Sequence, residues 1–135
     1  MGAFMNIIRA FLGICETKPL DETLWQFENN TISIQLSRVP QLAAVGGAVY
    51  LRGKGLKRPI LVVRTGEDEL RAYENRCTHA GRKIDPVPGQ KILRCCSVCH
   101  SRFDLEGNKV SGPAKRSLKL YNITRNNDVL MIDLI

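Results

Sequence analysis

Two short clusters of soft metal ligands stand out in this chain: Cys77-Thr78-His79-Ala80-Gly81 and Cys96-Ser97-Val98-Cys99-His100. The 24 positions from 77 to 100, which also include Cys95, hold four of the five cysteines and both histidines. Thiolates and imidazoles at Cys-x-His and Cys-x-x-Cys spacing are the donors of a metal or cluster site. The alternative is a pair of buried structural cysteines beside two unrelated histidines. In a chain with no other histidine, that coincidence explains the pattern poorly.

Ligands on loops need a rigid frame, and the remaining sequence supplies one. The chain has 135 residues, of which 44% are apolar, enough for one domain with a real core. Glycine and proline total 17 and aromatics are only 6%, which points to many short strands and turns. Thr31–Leu36 alternates with period two and reads as a half-buried strand. Val39–Ala43 reads as a turn, Gly46–Leu51 as a strand, and Arg52–Pro59 as a basic hairpin loop. Ile60–Arg64 is a strand, Gly66–Glu69 a turn, and Leu70–Tyr73 leads into the first ligand cluster. Ile92–Arg94 leads into the second. A turn at Asp104–Asn108 and closing strands at Leu118–Ile123 and Val129–Leu134 complete the pattern. Short, evenly spaced strands predict an all-β fold, an antiparallel sandwich or partly open barrel. Twenty basic against thirteen acidic residues give a net charge of +7, which favours acidic partners or an anionic surface. Neither a recognition helix nor an aromatic stacking motif is present, so nucleic acid is not the expected partner.

Residues 1–18 form an apolar N-terminal segment, separate from a domain expected over 19–135. The run to Cys15 is too short to span a bilayer. Its one charge, Arg9, lies inside the apolar stretch and no small-residue cleavage site follows, which argues against a secretory signal. Phe4, Ile7, Ile8 and Phe11 share one face at helical spacing, so a short N-terminal helix is expected. Contact of residues 4–14 with a membrane surface or a partner is the competing reading.

The combined signature resembles the Rieske [2Fe–2S] family from about Trp25 to the C-terminus. The resemblance rests on Cys77-Thr-His79-Ala-Gly, sixteen residues between His79 and Cys96, Cys96-x-x-ligand, Phe103-Asp-Leu-Glu-Gly107 and Gly112-Pro-Ala-Lys-Arg-Ser-Leu118. Val39-Pro-Gln-Leu-x-x-x-Gly46-Gly47-Ala-Val is similar to the opening of many bacterial members. The likeness implies two loops that each bring two ligands to one [2Fe–2S] cluster, under a proline loop of Gly112, Pro113 and Ala114. It further implies that Cys77 and Cys96 hold the inner iron and His79 the outer one. Imidazole in place of thiolate removes negative charge and raises the potential.

The fourth ligand departs from the family pattern of Cys-x-x-His-Gly. Three residues after Cys96 stands Cys99, and His100 fills the glycine position. Counting back from Phe103-Asp-Leu also puts Cys99 in the ligand place without a gap. A rival register adds one residue before His100 and keeps two histidine ligands. Both registers stay open, Cys99 being the expected ligand and His100 the alternative. Cys77, His79, Cys96 and Cys99 would also make a tetrahedral zinc set, so a structural zinc module is a reading from another class.

By the same resemblance, Arg82 stands where quinol-oxidising members place a disulfide cysteine, so no bridge between the ligand loops is expected. Phe103 replaces a tyrosine whose hydroxyl bonds a ligand sulfur. Ser101 can still bond a sulfide, the competing reading being a solvated loop serine. Cys95 is expected in the core. Arg82, Lys83, Arg94, Arg102, Lys115 and Arg116 flank the loops, either as a solvated face or as a positive collar that steers an acidic partner. No second catalytic constellation or nucleotide fingerprint is present. The expectation is therefore a cytoplasmic, ferredoxin-like electron carrier with protein redox partners rather than an enzyme. An electron-transfer subunit of a membrane or quinone-linked complex is the runner-up.

Overall fold

Ile60-Leu61-Val62-Val63 is apolar at every position instead of every second one, which demands cover on both faces of the strand. The computed structural model, which describes residues 17–76, 83–87, 89–95 and 101–135, shows that cover. This strand, β4 (Ile60–Gly66), lies between β3 (Ala48–Leu51) and β5 (Glu69–Glu74). Ile60 and Val62 face one core, with Trp25, Ile32, Ile34, Val49, Leu51, Leu70, Ala72, Leu130 and Ile132. Leu61 and Val63 face a second, with Tyr50, Tyr73, Ile84, Leu93, Cys95, Phe103, Ala114 and Leu118. The alternation in β3 and β5 follows the same division: Val49 and Leu51 against Tyr50, Leu70 and Ala72 against Tyr73.

The first core fills a seven-stranded antiparallel sheet. Its other strands are β1 (Trp25–Glu28), β2 (Thr31–Gln35), β10 (Leu120–Asn126) and β11 (Val129–Asp133), in the order β1-β2-β11-β10-β5-β4-β3. Strand β10 turns the corner. Leu120 and Tyr121 pair with β5, whereas Asn122–Asn126 pair with β11. The sheet curls there into a half-barrel. A two-residue turn at Asn29-Asn30, both with positive φ, makes the β1–β2 hairpin.

The second core lies between β3–β5 and a four-stranded sheet of β6 (Ile84–Pro86), β7 (Ile92–Cys95), β8 (Arg102–Asp104) and β9 (Lys109–Ser111). Two residues of β5 and the residue just beyond its end tie the small sheet and its β8–β9 turn to the larger one. Arg71 bonds Glu106 at 3.0 Å, the Tyr73 hydroxyl donates to the Leu105 carbonyl at 2.6 Å, and Asn75 Oδ1 accepts the Ile84 N–H at 2.8 Å. Burial pushes the Tyr73 phenol pKa up to about 12.

The all-β, antiparallel expectation is borne out. The expected turn at Val39–Ala43 is made of 3-10 turns at Leu36–Arg38 and Pro40–Leu42. They bring Gln41 so close to Gly47 that a Cβ there would sit 2.0 Å from the Gln41 carbonyl oxygen. The helix expected in residues 1–18 lies largely outside the described residues, which begin at Thr17. There the Thr17 N–H donates to the Asp85 carboxylate of β6. Among the described residues no helix is long and apolar enough to cross a membrane.

Candidate metal centre

The pairing of the small sheet collects three chain segments at one of its ends. Ile84, the first residue of β6, pairs with Cys95, the last of β7. Arg94 pairs with Arg102, the first residue of β8, and Arg102 with Ser111, the last of β9. The chain thus enters from 77–82 where it leaves toward 96–100, and Gly112-Pro113-Ala114 follows β9 at the same end. Cys77, His79, Cys96, Cys99 and the alternative ligand His100 lie outside the described residues, as does Arg82. Their flanks are fixed, and those flanks converge.

Each ligand segment is tied at its base. Asn75 closes the first: its N–H donates to the Pro59 carbonyl at 2.8 Å, and its side chain takes the Ile84 N–H from the far side. Ser101 closes the second: its carbonyl accepts the Cys95 N–H at 2.8 Å. Ser101 is fully buried, and its hydroxyl oxygen accepts the Ala114 N–H at 3.1 Å. That bond joins the second ligand segment to the proline loop. The solvated-loop reading of Ser101 is therefore overturned, and Pro113 is exposed beside a buried Ala114. Phe103 and Cys95 are fully in the second core, as expected for Cys95.

Asn75 was not singled out by sequence reasoning. Its signal was available: an amide two residues before a ligand cysteine, at the end of an alternating strand, has few roles other than hydrogen bonding.

The outer face of the small sheet is charged. Asp85, Arg94 and Arg102 stand in one row across β6, β7 and β8. Lys83 lies over the Tyr50 ring at 4.9 Å, and Arg102 and Lys115 are exposed. Arg94 stands between the Asp85 carboxylate and Arg102, so the row carries a net positive charge.

The residues fit an iron–sulfur group. The donor set is soft, the described flanks of its two halves meet at one sheet end, and a buried hydroxyl and a buried amide stand on those flanks. Among the described residues no group of three ligating side chains converges.

Comparison with known proteins agrees. The Rieske [2Fe–2S] domain family matches residues 35–122. A cytochrome b6-f complex iron–sulfur subunit of Synechococcus sp. (strain CC9605) is 35% identical over 83 residues, 58% of this chain and 46% of that protein. A carotenoid phi-ring synthase of Chlorobaculum tepidum is 36% identical over 75 residues, 55% of this chain and 11% of that protein. The chain thus spans less than half the length of these curated relatives. The crystal structure of the plasma membrane Rieske protein PetC3 from Synechocystis PCC 6803 superposes with a TM-score of 0.55 at 25% identity, covering 64% of this chain and 86% of that one. The ferredoxin of carbazole 1,9a-dioxygenase from Nocardioides aromaticivorans IC177 shares the fold, with a TM-score of 0.59 at 19% identity over 75% of this chain and 96% of that one. An all-β scaffold whose soft-ligand segments are flanked by residues that meet, with a proline loop, at one sheet end defines a class of iron–sulfur protein. Within it, this chain belongs to the Rieske [2Fe–2S] domain family, and its cofactor is a [2Fe–2S] cluster.

Proposed function

We propose that this protein is a one-electron carrier whose cluster is held by Cys77, His79, Cys96 and Cys99, with His100 the alternative to Cys99. When bound, the cluster supplies a reversible one-electron couple between its diferric and mixed-valence states. The observation that carries the reading is the convergence of residues flanking 77–82 and 96–100 with the Gly112–Ala114 segment at one end of the small sheet. The protein's own residues tie the flanks of those segments through the buried Asn75 and Ser101, and Lys83 and Arg102 add positive charge on the same flanks.

Positive charge at the cluster end favours the reduced state and steers an acidic protein partner. Arg102, Lys115 and Lys83 are the candidate docking residues. A complex of oxygenase and ferredoxin in carbazole 1,9a-dioxygenase, whose structure resembles this chain with a TM-score of 0.61, supports a partner of the protein class. A ferredoxin-like role in the cytoplasm suits reduced thiols. The likeness to cytochrome b6-f iron–sulfur subunits favours a second reading, a subunit of a membrane or quinone-linked complex, with residues 4–14 at the surface contact.

Iron and acid-labile sulfide analysis of anaerobically purified protein, with an EPR spectrum of the reduced form, tests the proposal. Two irons and two sulfides per chain, with a reversible one-electron titration, are expected. Stoichiometric zinc without sulfide would overturn it.

A further inference from the structure

A cavity of about 660 Å³ opens at the end of the half-barrel where β1, the β3–β4 loop, the end of β5 and the start of β10 come together. That volume falls within the range of about 300–1,000 Å³ typical of small-molecule sites, which favour the mouths of β-barrels. Strand β5 separates it from the small sheet, since Ala72 faces the half-barrel core and Tyr73 the other core.

The wall and the rim of this mouth differ in chemistry. Ile60 is buried, while Phe27, Leu56, Tyr121 and Leu134 pack against the first core and stay half-buried, which leaves apolar surface toward the cavity. The rim is cationic. Lys57 and Lys119 are exposed and have no carboxylate partner among the described residues, and Arg58 pairs with Glu74 at 3.2 Å. Three cations thus stand against one carboxylate. Lys119 Nζ lies 5.1 Å from the centre of the Tyr121 ring, so a cation sits directly beside the apolar wall. The Tyr121 hydroxyl has no hydrogen-bond partner among the described residues, and burial, with Glu74 nearby, raises its pKa. It is therefore a neutral donor at neutral pH. A hydrocarbon body suits the wall and an anionic head suits the rim. Glu74 stays on that rim and disfavours a doubly charged head.

We propose that this mouth binds a small amphipathic carboxylate, with its apolar tail against Phe27, Leu56 and Leu134 and its head held by Lys57, Lys119 and the Tyr121 hydroxyl. The site does not depend on the ligand set of the metal centre.

The test titrates octanoate into the intact, cluster-loaded protein by calorimetry, with amide chemical shifts to locate the site. Saturable binding that shifts Phe27, Leu56 and Leu134 is expected. Acetate, which lacks the tail, and octanol, which lacks the charge, should each bind about tenfold or more weakly. The double variant Lys57→Glu/Lys119→Glu reverses two exposed charges, so cluster absorbance and melting should hold while octanoate affinity falls about tenfold or more. Tyr121→Phe should weaken binding by a smaller factor. Absence of saturable binding overturns the proposal, as do shifts confined to other residues, octanol or octyl phosphate binding as tightly as octanoate, or a double variant of wild-type affinity. If the double variant fails to load, the wild-type ligand series and Tyr121→Phe decide. Anionic vesicles that bind where octanoate does not would reassign the mouth to a membrane surface and overturn the carboxylate site.

Discussion

Replacing Ser101 with alanine removes the acceptor of the Ala114 N–H, and both residues are fully buried. No solvent reaches that N–H to replace the bond. A buried donor left unpaired costs about 1–3 kcal/mol. For a chain of 135 residues the unfolding entropy is about 0.28 kcal/mol per K, from roughly 2.1 cal/mol/K per residue. The expected fall in Tm is therefore about 4–11 °C. The bond also links the second ligand segment to the Gly112–Ala114 loop, so cluster loss under mild heating should accelerate. A hydroxyl that accepts from Ala114 still carries a donor of its own, and loss of that donor near the cluster should lower the midpoint. The assay is anaerobic thermal unfolding followed by far-ultraviolet circular dichroism, with cluster absorbance and a midpoint titration on the same samples. A Ser101→Ala protein that melts within about 1 °C of wild type and keeps its midpoint would refute the clamp, because a buried unpaired N–H cannot be that cheap.

Three further outcomes are expected. Cys99→Ala should abolish or strongly alter the cluster while His100→Ala leaves it largely intact; the opposite ranking, read by iron content and EPR, assigns the ligand to His100. With three thiolates the midpoint should lie below the top of the Rieske range of about −150 to +300 mV and above plant-type ferredoxins near roughly −400 mV, and should follow one ligand proton in alkali; a midpoint near the top with two resolved ligand pKa values would refute the three-cysteine centre. Tyr73 keeps its proton to about pH 12 in the folded state, whereas the unfolded phenol ionises near pH 10, so its contribution to stability is present below pH 10 and is lost as pH rises toward 12. Tyr73→Phe should lose roughly 1–2 kcal/mol at neutral pH through the unpaired Leu105 carbonyl and show a shallower alkaline decline, measured by denaturant unfolding across pH; superimposable alkaline profiles would count against it.

Much of the frame was legible because its determinants are local. Alternation in Thr31–Leu36 and the unbroken apolar run from Ile60 encode which strand faces meet a core, and the structure places them so. The four strands that were missed, β1, β6, β8 and β9, have three or four residues each, too few to display a period. They exist through pairing with distant partners, and β6 even contains Pro86.

The donor chemistry was legible in the residues alone. Thiolate and imidazole identity and their spacing along a few residues select a soft metal group, because donor type and short-range reach are properties of the chain. Where the flanks of those residues meet depends on strand pairing. The register Ile84 to Cys95, Arg94 to Arg102 and Arg102 to Ser111 brings segments from three parts of the chain to one sheet end. Likewise, Asn75 and Ser101 became clamps only once Ile84 and Ala114 met them, since a hydrogen bond depends on distance in space and sequence separation does not encode it.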